Sequence, residues 1–494
     1  MFGLNRFQLF CLAYITFGSA FYGYDSGITT SVLGYSSFLA YFNLNANTIG
    51  AFNSAYYAAC ALGNLANWYL PDRFGRIRTI QFACILNVPA IVLQTAAVNY
   101  GMFVAGRVIG GIACGIVYAL CPVYASEIAP PHIRGRIGMI YAMNVSLGYA
   151  VTEWIGLGFY FIKGDASWRV LFGLQAVPTI LMGVFSFWMP RSPRWLVMKG
   201  HHEEAKTVLK RIHGGLHHDD TFYEREFHQI KAQIQLDQDE QLGLKDIFTK
   251  PSYRKRVLLV MNFFLFQQLT GIIPLQNYQV FIYQICGFDA VMSLVLVGIW
   301  GTVVCIAVAT MSPWFDRIGR RASVFLAFSF IIPGALLIVI MWARFEAGGS
   351  KDLGVAKGII FGMFFLVWGY GGILNTFAPC KIPYHQYSSE IMPTCIRAAG
   401  VACGYATFNC IVILLVQVTP LALEHISWKY FLIFVVCDLI FIVTFYFFYP
   451  ETKNKTLEEI EAIFGDRIAE TFEEAGQRFQ EEKEKTHVVE HREV

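Results

Sequence analysis

The sequence predicts an all-α integral membrane protein of about twelve transmembrane helices, arranged as two six-helix halves joined by an aqueous linker. Three observations carry this. The 494 residues are 55% hydrophobic and only 15% charged, against roughly 25% charged in a soluble globular protein. The apolar residues come in blocks of about 20, the helix length that crosses a hydrocarbon core of roughly 30 Å. Two charged motifs also recur in the same order, six blocks apart. The formal net charge of +3 is too small to suggest a nucleic-acid partner, and the distribution of basic residues among loops is more informative than the sum.

The first block starts near Phe7 and continues past Gly23. It is too long for a signal-peptide core and lacks a small-residue cleavage site before the next block, so it reads as a retained first helix. The predicted spans are 8–31, 49–70, 79–97, 101–123, 136–161 and 168–189, then 256–284, 290–315, 322–343, 357–386, 398–421 and 429–449. The N-terminal half is therefore 1–189 and the C-terminal half 256–450. Residues 190–255 are charged and rich in His, Glu, Gln and Lys, which reads as a partly helical linker. The tail 451–494 is charged as well, with a helical stretch at Leu457–Phe464.

Lys and Arg in short loops set the orientation. The 2–3 loop holds Arg73, Arg76 and Arg78, the 4–5 loop Arg134 and Arg136, and the 8–9 loop Arg317, Arg320 and Arg321. The 1–2, 3–4 and 7–8 loops hold none, while the 9–10 loop is an exception with Arg344, Lys351 and Lys357. The balance places both termini and the linker in the cytoplasm.

The internal repeat pairs Asp72-Arg73-Phe74-Gly75-Arg76 after span 2 with Asp316-Arg317-Ile318-Gly319-Arg320 after span 8. Ser126-Glu127-Ile128 and Arg134 after span 4 match Ser389-Glu390-Ile391 and Arg397 after span 10. Duplicated halves related by an axis along the membrane normal are a transporter architecture, with the substrate near the midplane between them. Most of the twelve Cys lie inside apolar runs with no metal-ligand spacing, so neither a metal nor a cofactor is expected. No nucleophile–base constellation or phosphate-cradling loop points to an enzyme.

These stretches, with several others, resemble the sugar porter branch of the major facilitator superfamily over about residues 15–465. The others are Gly23-Tyr24-Asp25, Gly106-Arg107, Tyr124 to Pro130, Pro190-Arg191-Ser192-Pro193-Arg194-Trp195-Leu196 (Arg191 where the family has Glu), Gln267-Gln268-Leu269-Thr270-Gly271, and Pro450-Glu451-Thr452-Lys453. Gln417-Val418-Thr419-Pro420 looks fungal. The resemblance implies plasma-membrane transport but not the solute, because porters of hexoses, pentoses, polyols, disaccharides and sugar acids share these motifs.

Ionisable residues at membrane depth are costly and so are functional candidates. Asp25 lies about 6 residues, or roughly 9 Å, outward of the centre of span 1. Arg107 lies about 5 residues, or roughly 8 Å, outward in span 4. At matched depth the two can pair. Paired, Asp25 stays ionised; with Arg107 turned away, burial favours the protonated acid, which is a proton switch. The resemblance implies the coupling site of proton symporters, since carriers that only equilibrate sugar lack the Asp. A static structural ion pair is the other reading.

Gln267 and Gln268, near the middle of span 7, can donate to and accept from vicinal hydroxyls, and by resemblance they contact sugar. Interhelical hydrogen bonding would use the same amides. Pro274 and Gly271 fit a discontinuous helix at a gate. The chain departs from the family at Ile273, Asn277, Ala142, Val304, His385 and Asn409, where hydroxyl-binding groups or stacking rings are expected, and keeps Tyr278. Polar groups appear instead at Asn144, Glu153, Lys381, His385 and Gln386. Lys381 attracts an anion or snorkels to water; Glu153 is a second titratable site or faces the outer water. The candidate substrate-binding set is Gln267, Gln268, Asn277, Tyr278, His385, Asn409 and Asn144.

The loop charges Asp72, Arg73, Arg76, Glu127, Arg134, Arg194, Asp316, Arg317, Arg320, Glu390 and Arg397 form the candidate conformational switch. By resemblance, cytoplasmic ion pairs lock the halves when the carrier is open outward. Exposed pairs contribute roughly 0–1 kcal/mol each, so only a network biases a two-state equilibrium. The expected function is proton symport that imports a small sugar, polyol or sugar acid by alternating access, with the solute, protons and the surrounding membrane lipid as the partners. Two other readings stay open: an exporter of a less polar metabolite, suggested by the missing amides and rings, and a non-transporting nutrient sensor, against which the short tail speaks.

Overall fold

In lipid every backbone polar group must be satisfied within its own segment, so long apolar runs become helices. The computed structural model describes residues 6–129, 134–213, 223–224, 227–228, 230–231, 234, 250–311, 318–349, 352–375, 391–392, 397–451 and 464. The N-terminal half contains α1 (Arg6–Val32), the short α2 (Ser36–Tyr41), α3 (Ala46–Ala66), α4 (Leu70–Phe74), α5 (Arg76–Thr95), α6 (Tyr100–Ile128), α7 (Arg134–Tyr160), α8 (Ala166–Gly173) and α9 (Ala176–Phe185). In the linker lie α10 (Pro193–Met198) and α11 (His202–His213). The C-terminal half contains α12 (Pro251–Gln268), α13 (Ile272–Ile285), α14 (Ala290–Met311), α15 (Arg320–Ala347), α16 (Leu353–Gly369), α17 (Arg397–His425) and α18 (Lys429–Phe448).

Nine helical stretches among the described residues are long and apolar enough to cross a membrane. The other three spans, α1, α3 and α7, are as long but more polar, because they carry the buried polar groups Asp25, Ser26, Thr29, Asn53, Tyr56 and Glu153. The fold is thus all-helical among the described residues, with about twelve spans, as the sequence predicts. Where both ends are described, the predicted ends lie within about five residues of the observed ones. The predicted sixth span is two helices, α8 and α9, followed by a 3-10 turn at Ser186–Trp188. Span 4 continues past the predicted residue 123 to Ile128, so Ser126 and Glu127 sit on its last turn rather than in a loop. Span 10 passes from α16 into a π-helical turn, Tyr370–Leu374. Large apolar side chains such as Ile85, Phe187, Phe361 and Phe447 are exposed, as a lipid-facing surface requires.

The sequence repeat is also a backbone repeat. Gly75 precedes α5 with φ +90°, and Gly319 precedes α15 with φ +96°. Only glycine adopts that backbone freely. In both places the hydroxyl four residues on closes the turn: Thr79 donates to the Gly75 carbonyl at 2.9 Å and Ser323 to the Gly319 carbonyl at 2.6 Å.

The halves meet along α3 against α17, α7 against α14 and α1 against α13. Phe7, at the start of α1, lies 3.9 Å beneath the Arg211 guanidinium of α11, so that end of the bundle faces the linker. The opposite end is termed the far end below.

Candidate functional site

Three helices of the N-terminal half bring Asp25, Tyr56 and Arg107 together. Asp25 is on α1, Tyr56 on α3 and Arg107 on α6, and all three are nearly inaccessible. Arg107 Nη1 lies 3.8 Å from Asp25 Oδ1, an ion pair beyond hydrogen-bond reach. The Tyr56 hydroxyl donates to Asp25 Oδ2, and its ring lies under the Arg107 guanidinium, 3.9 Å from its centroid. Arg107 Nη2 donates to Thr29 Oγ1 at 2.9 Å. Asp25 Oδ1 and Arg107 Nε and Nη1 have no hydrogen-bond partner. The charges compensate each other at a distance, and orphaned polar atoms face the gap.

In the C-terminal half, Gln267 and Gln268 end α12, both buried. The helix breaks immediately after them: Gly271 has φ +81° and caps α13. A Cβ at Gly271 would also meet the Phe434 ring at 3.1 Å. Pro274 is the third residue of α13, where its missing N–H takes no helix bond away. The discontinuity is therefore made by Gly271. Gln267 Oε1 and both amide atoms of Gln268 lack hydrogen-bond partners, unlike most buried amides.

Asn277 and Tyr278 hold the halves together. Tyr57 of α3 donates to Asn277 Oδ1 at 3.1 Å, and Asn277 Nδ2 donates to the Ile273 carbonyl at 3.0 Å. Tyr278 donates to the Val416 carbonyl at 2.6 Å and accepts from Asn53 at 3.3 Å. Further bonds between the halves run from Ser54 to Gln417 at 2.8 Å, Thr30 to the Gln276 carbonyl at 3.1 Å, Trp154 to Thr302 at 2.9 Å and Gln279 to Glu153 at 3.4 Å. By chain direction Thr30, Asn53, Ser54, Glu153, Trp154, Val416 and Gln417 lie in the far halves of their helices, and Tyr57 and Thr302 lie near the middle of theirs, so the halves are fastened from the middle to the far end.

Between them lies a small cavity of about 50 Å³, lined by Ser146, Tyr149 and Glu153 of α7, Gln276 of α13, Trp300, Gly301 and Val304 of α14, and Tyr370 of the π turn. A water needs roughly 10–15 Å³ on this measure, so the space suits a few waters. A larger solute requires the halves to part.

A family model described as "Sugar (and other) transporter" matches residues 11–464. The chain belongs to this family. It is 30% identical over 449 residues to the MFS-type transporter criB of Aspergillus cristatus, covering 90% of each chain. It is 30% identical over 474 residues to the high-affinity glucose transporter of Kluyveromyces lactis, covering 90% of this chain and 83% of that one. Its fold superposes on the proton:xylose symporter XylE of E. coli with a TM-score of 0.75 at 21% identity, covering 93% of this chain and 99% of that chain. These relatives are transporters, not enzymes.

In this sugar (and other) transporter the remaining candidates fall as follows. Asn144 donates to the Thr16 carbonyl at 3.2 Å and Asn409 to the Tyr405 carbonyl of its own helix at 2.9 Å. Arg76 grips Glu127 with two nitrogens, Nη2–Oε1 2.7 Å and Nε–Oε2 2.9 Å, and reaches Asp72 at 3.0 Å. Arg73 hydrogen-bonds the Tyr69 hydroxyl. Arg194 is exposed on α10, while its neighbour Trp195 donates to the Asp72 carbonyl at 3.1 Å. The first copy of the repeated motif is thereby docked onto the linker. Arg134, Arg320 and Arg397 open α7, α15 and α17. Lys381, His385, Gln386, Asp316, Arg317 and Glu390 lie outside the described residues.

Several buried polar groups escape sequence reading. Tyr56 and Thr29 are ordinary helix residues by sequence, and only the fold places them around Asp25 and Arg107. Glu153 turns out to be buried at the interface of the halves, 1% exposed, rather than facing water. Asp438 of α18 is buried with neither carboxylate oxygen partnered; its signal was a lone acid within an apolar run.

Proposed function

We propose that the chain is a proton-coupled symporter that imports a small sugar, polyol or sugar acid across the plasma membrane by alternating access. The observation that carries this reading is the buried Asp25–Arg107 pair, 3.8 Å apart with Tyr56 bonded to one partner and stacked on the other. A pair that close is stable while both are charged, yet it is loose enough to separate. When Arg107 swings away, Asp25 keeps only a neutral hydroxyl, and a proton becomes its cheapest partner. The glucose transporter and proton:xylose symporter among its relatives support sugar as the solute class and protons as the driving ion.

Residues 1–189 and 256–450 are the bodies that rock against each other. The linker 190–255, the tail 451–494 and both termini face the cytoplasm, which makes the far end extracellular. The arrangement fastened at that end is then the outward-closed one. Gln267 Oε1 and the amide of Gln268, beside the break at Gly271, offer acceptors and a donor to solute hydroxyls. The Arg76–Glu127–Asp72 cluster steadies the cytoplasmic ends of α5 and α6 during the exchange.

The test is uptake in cells lacking their own sugar carriers, with external pH recorded while hexoses, pentoses, polyols and sugar acids are added singly. Alkalinisation with one solute class supports the reading and names the class. Uptake without alkalinisation makes the protein a uniporter; no uptake of any solute points to an exporter or a sensor.

A further inference from the structure

The coupling pair lies wholly within one half: Asp25, Tyr56 and Arg107 belong to α1, α3 and α6. A second buried acid is built differently. Glu153, on α7, meets α13 and α14 of the other half. Gln279 Nε2 donates to its Oε1 at 3.4 Å, and the Tyr283 hydroxyl donates to Gln279 Oε1 at 3.2 Å, which turns the amide's donor toward the carboxyl group. Glu153 Oε2 has no hydrogen-bond partner. It is pressed against Gly301 of α14 so closely that a Cβ there would stand 2.2 Å away.

The titratable groups facing Glu153 are neutral ones: Tyr149 on its own helix, Tyr283 on α13 and Cys305 on α14. Trp300 and Tyr370 line the same cavity and carry no charge. Among the described residues no Lys, Arg or His forms an ion pair with it. One long bond from a neutral amide, with the Gly301 backbone alongside, is poor compensation for a buried negative charge, whereas a neutral carboxyl group costs far less to bury. Glu153 can be charged cheaply only when α7 parts from α13 and α14 and water reaches it.

We propose that Glu153 is a second proton-binding site, which takes up a proton as the two halves close at the far end and releases it as they part. Asp25 then senses Arg107 within one half, and Glu153 senses the closure itself. The proposal rests on the alternating access of the reading above but not on the solute or on Asp25. By linkage, a state that holds one more proton gains about tenfold in population for each unit that pH falls through the titration. Low pH on the far side therefore favours closure.

The test is a distance between the halves as a function of pH, without solute. Spin labels go on Lys163→Cys, beyond α7, and Asp289→Cys, between α13 and α14; both positions are exposed. The parent protein has its reactive cysteines replaced and carries Asp25→Asn, so that Asp25 does not titrate, and it is held in lipid nanodiscs. The expected result is a closed-to-open ratio that rises up to tenfold per unit of acidification. In Glu153→Gln, whose amide mimics the neutral acid, the halves stay closed at every pH. Glu153→Leu also gives a flat profile and decides the matter should the first variant misfold. An unchanged pH response in these variants, or a flat profile in the parent, overturns the proposal. Either failure leaves the symport reading intact, since that reading stands or falls on uptake.

Discussion

Arg107 Nη1 stands 3.8 Å from Asp25 Oδ1, and Tyr56 touches both partners, with its hydroxyl on the acid and its ring under the guanidinium. The ion pair is thus mediated by a third helix. The same α3 carries Asn53, Ser54 and Tyr57, which bond to the opposite half. Helix α3 therefore touches both the charge pair and the opposite half.

Contact with both charged partners makes Tyr56 a sensitive position. Tyr56→Phe removes one hydrogen bond to a charged group, of order 1.5–3 kcal/mol. Proton-driven uptake should fall about tenfold or more. Tyr56→Leu also removes the cation–π contact, about 2 kcal/mol when desolvated, and should fall further. Equal uptake in the two variants would mean that the ring does nothing for Arg107.

Arg76 is buried and bonded bidentately to Glu127, so lysine is no substitute. Arg76→Ala leaves Glu127 buried without its partner and should cost about 3–5 kcal/mol. Thermal unfolding in detergent should show a large fall in the midpoint for Arg76→Ala and a smaller one for Arg76→Lys.

At Gly271 the backbone is left-handed and the Phe434 ring is close. Gly271→Ala strains both, by about 1–2 kcal/mol for the backbone alone. Because the break separates the Gln267–Gln268 pair from α13, initial uptake rates should fall along with thermal stability. An unchanged rate would remove the break from the gating mechanism.

Asp438 is buried with both oxygens unpartnered. Replacing an unsatisfied polar group by an apolar one recovers its desolvation cost, about 1–3 kcal/mol. Asp438→Leu should therefore raise the unfolding midpoint. A lowered midpoint would assign Asp438 a structural contact.

The fold was legible because hydropathy and the charged repeat act at long range along the chain. Asp25 and Arg107 were legible for the same reason: each is a charge standing in an apolar run. Tyr56 was not, since a tyrosine in a helix is unremarkable and its partners lie 31 and 51 positions away in sequence. The helix break in span 7 was foreseen, but its weight falls on Gly271 rather than Pro274, because a proline in the first turn removes no bond. Asn277 and Tyr278, expected among the solute ligands, bond across the halves in this arrangement. An amide or phenol serves either purpose, and only geometry tells which. Glu153 was visible as an acid in span 5, but its burial depends on α13 and α14, which no local pattern reveals.

The central claim is that Asp25 carries the coupling proton. The most direct measurement is solute accumulation in proteoliposomes under an imposed inward proton gradient, beside solute exchange at equal pH, for wild type and Asp25→Asn. The account predicts that the variant keeps exchange and loses accumulation against a gradient. Accumulation equal to wild type in Asp25→Asn would contradict it.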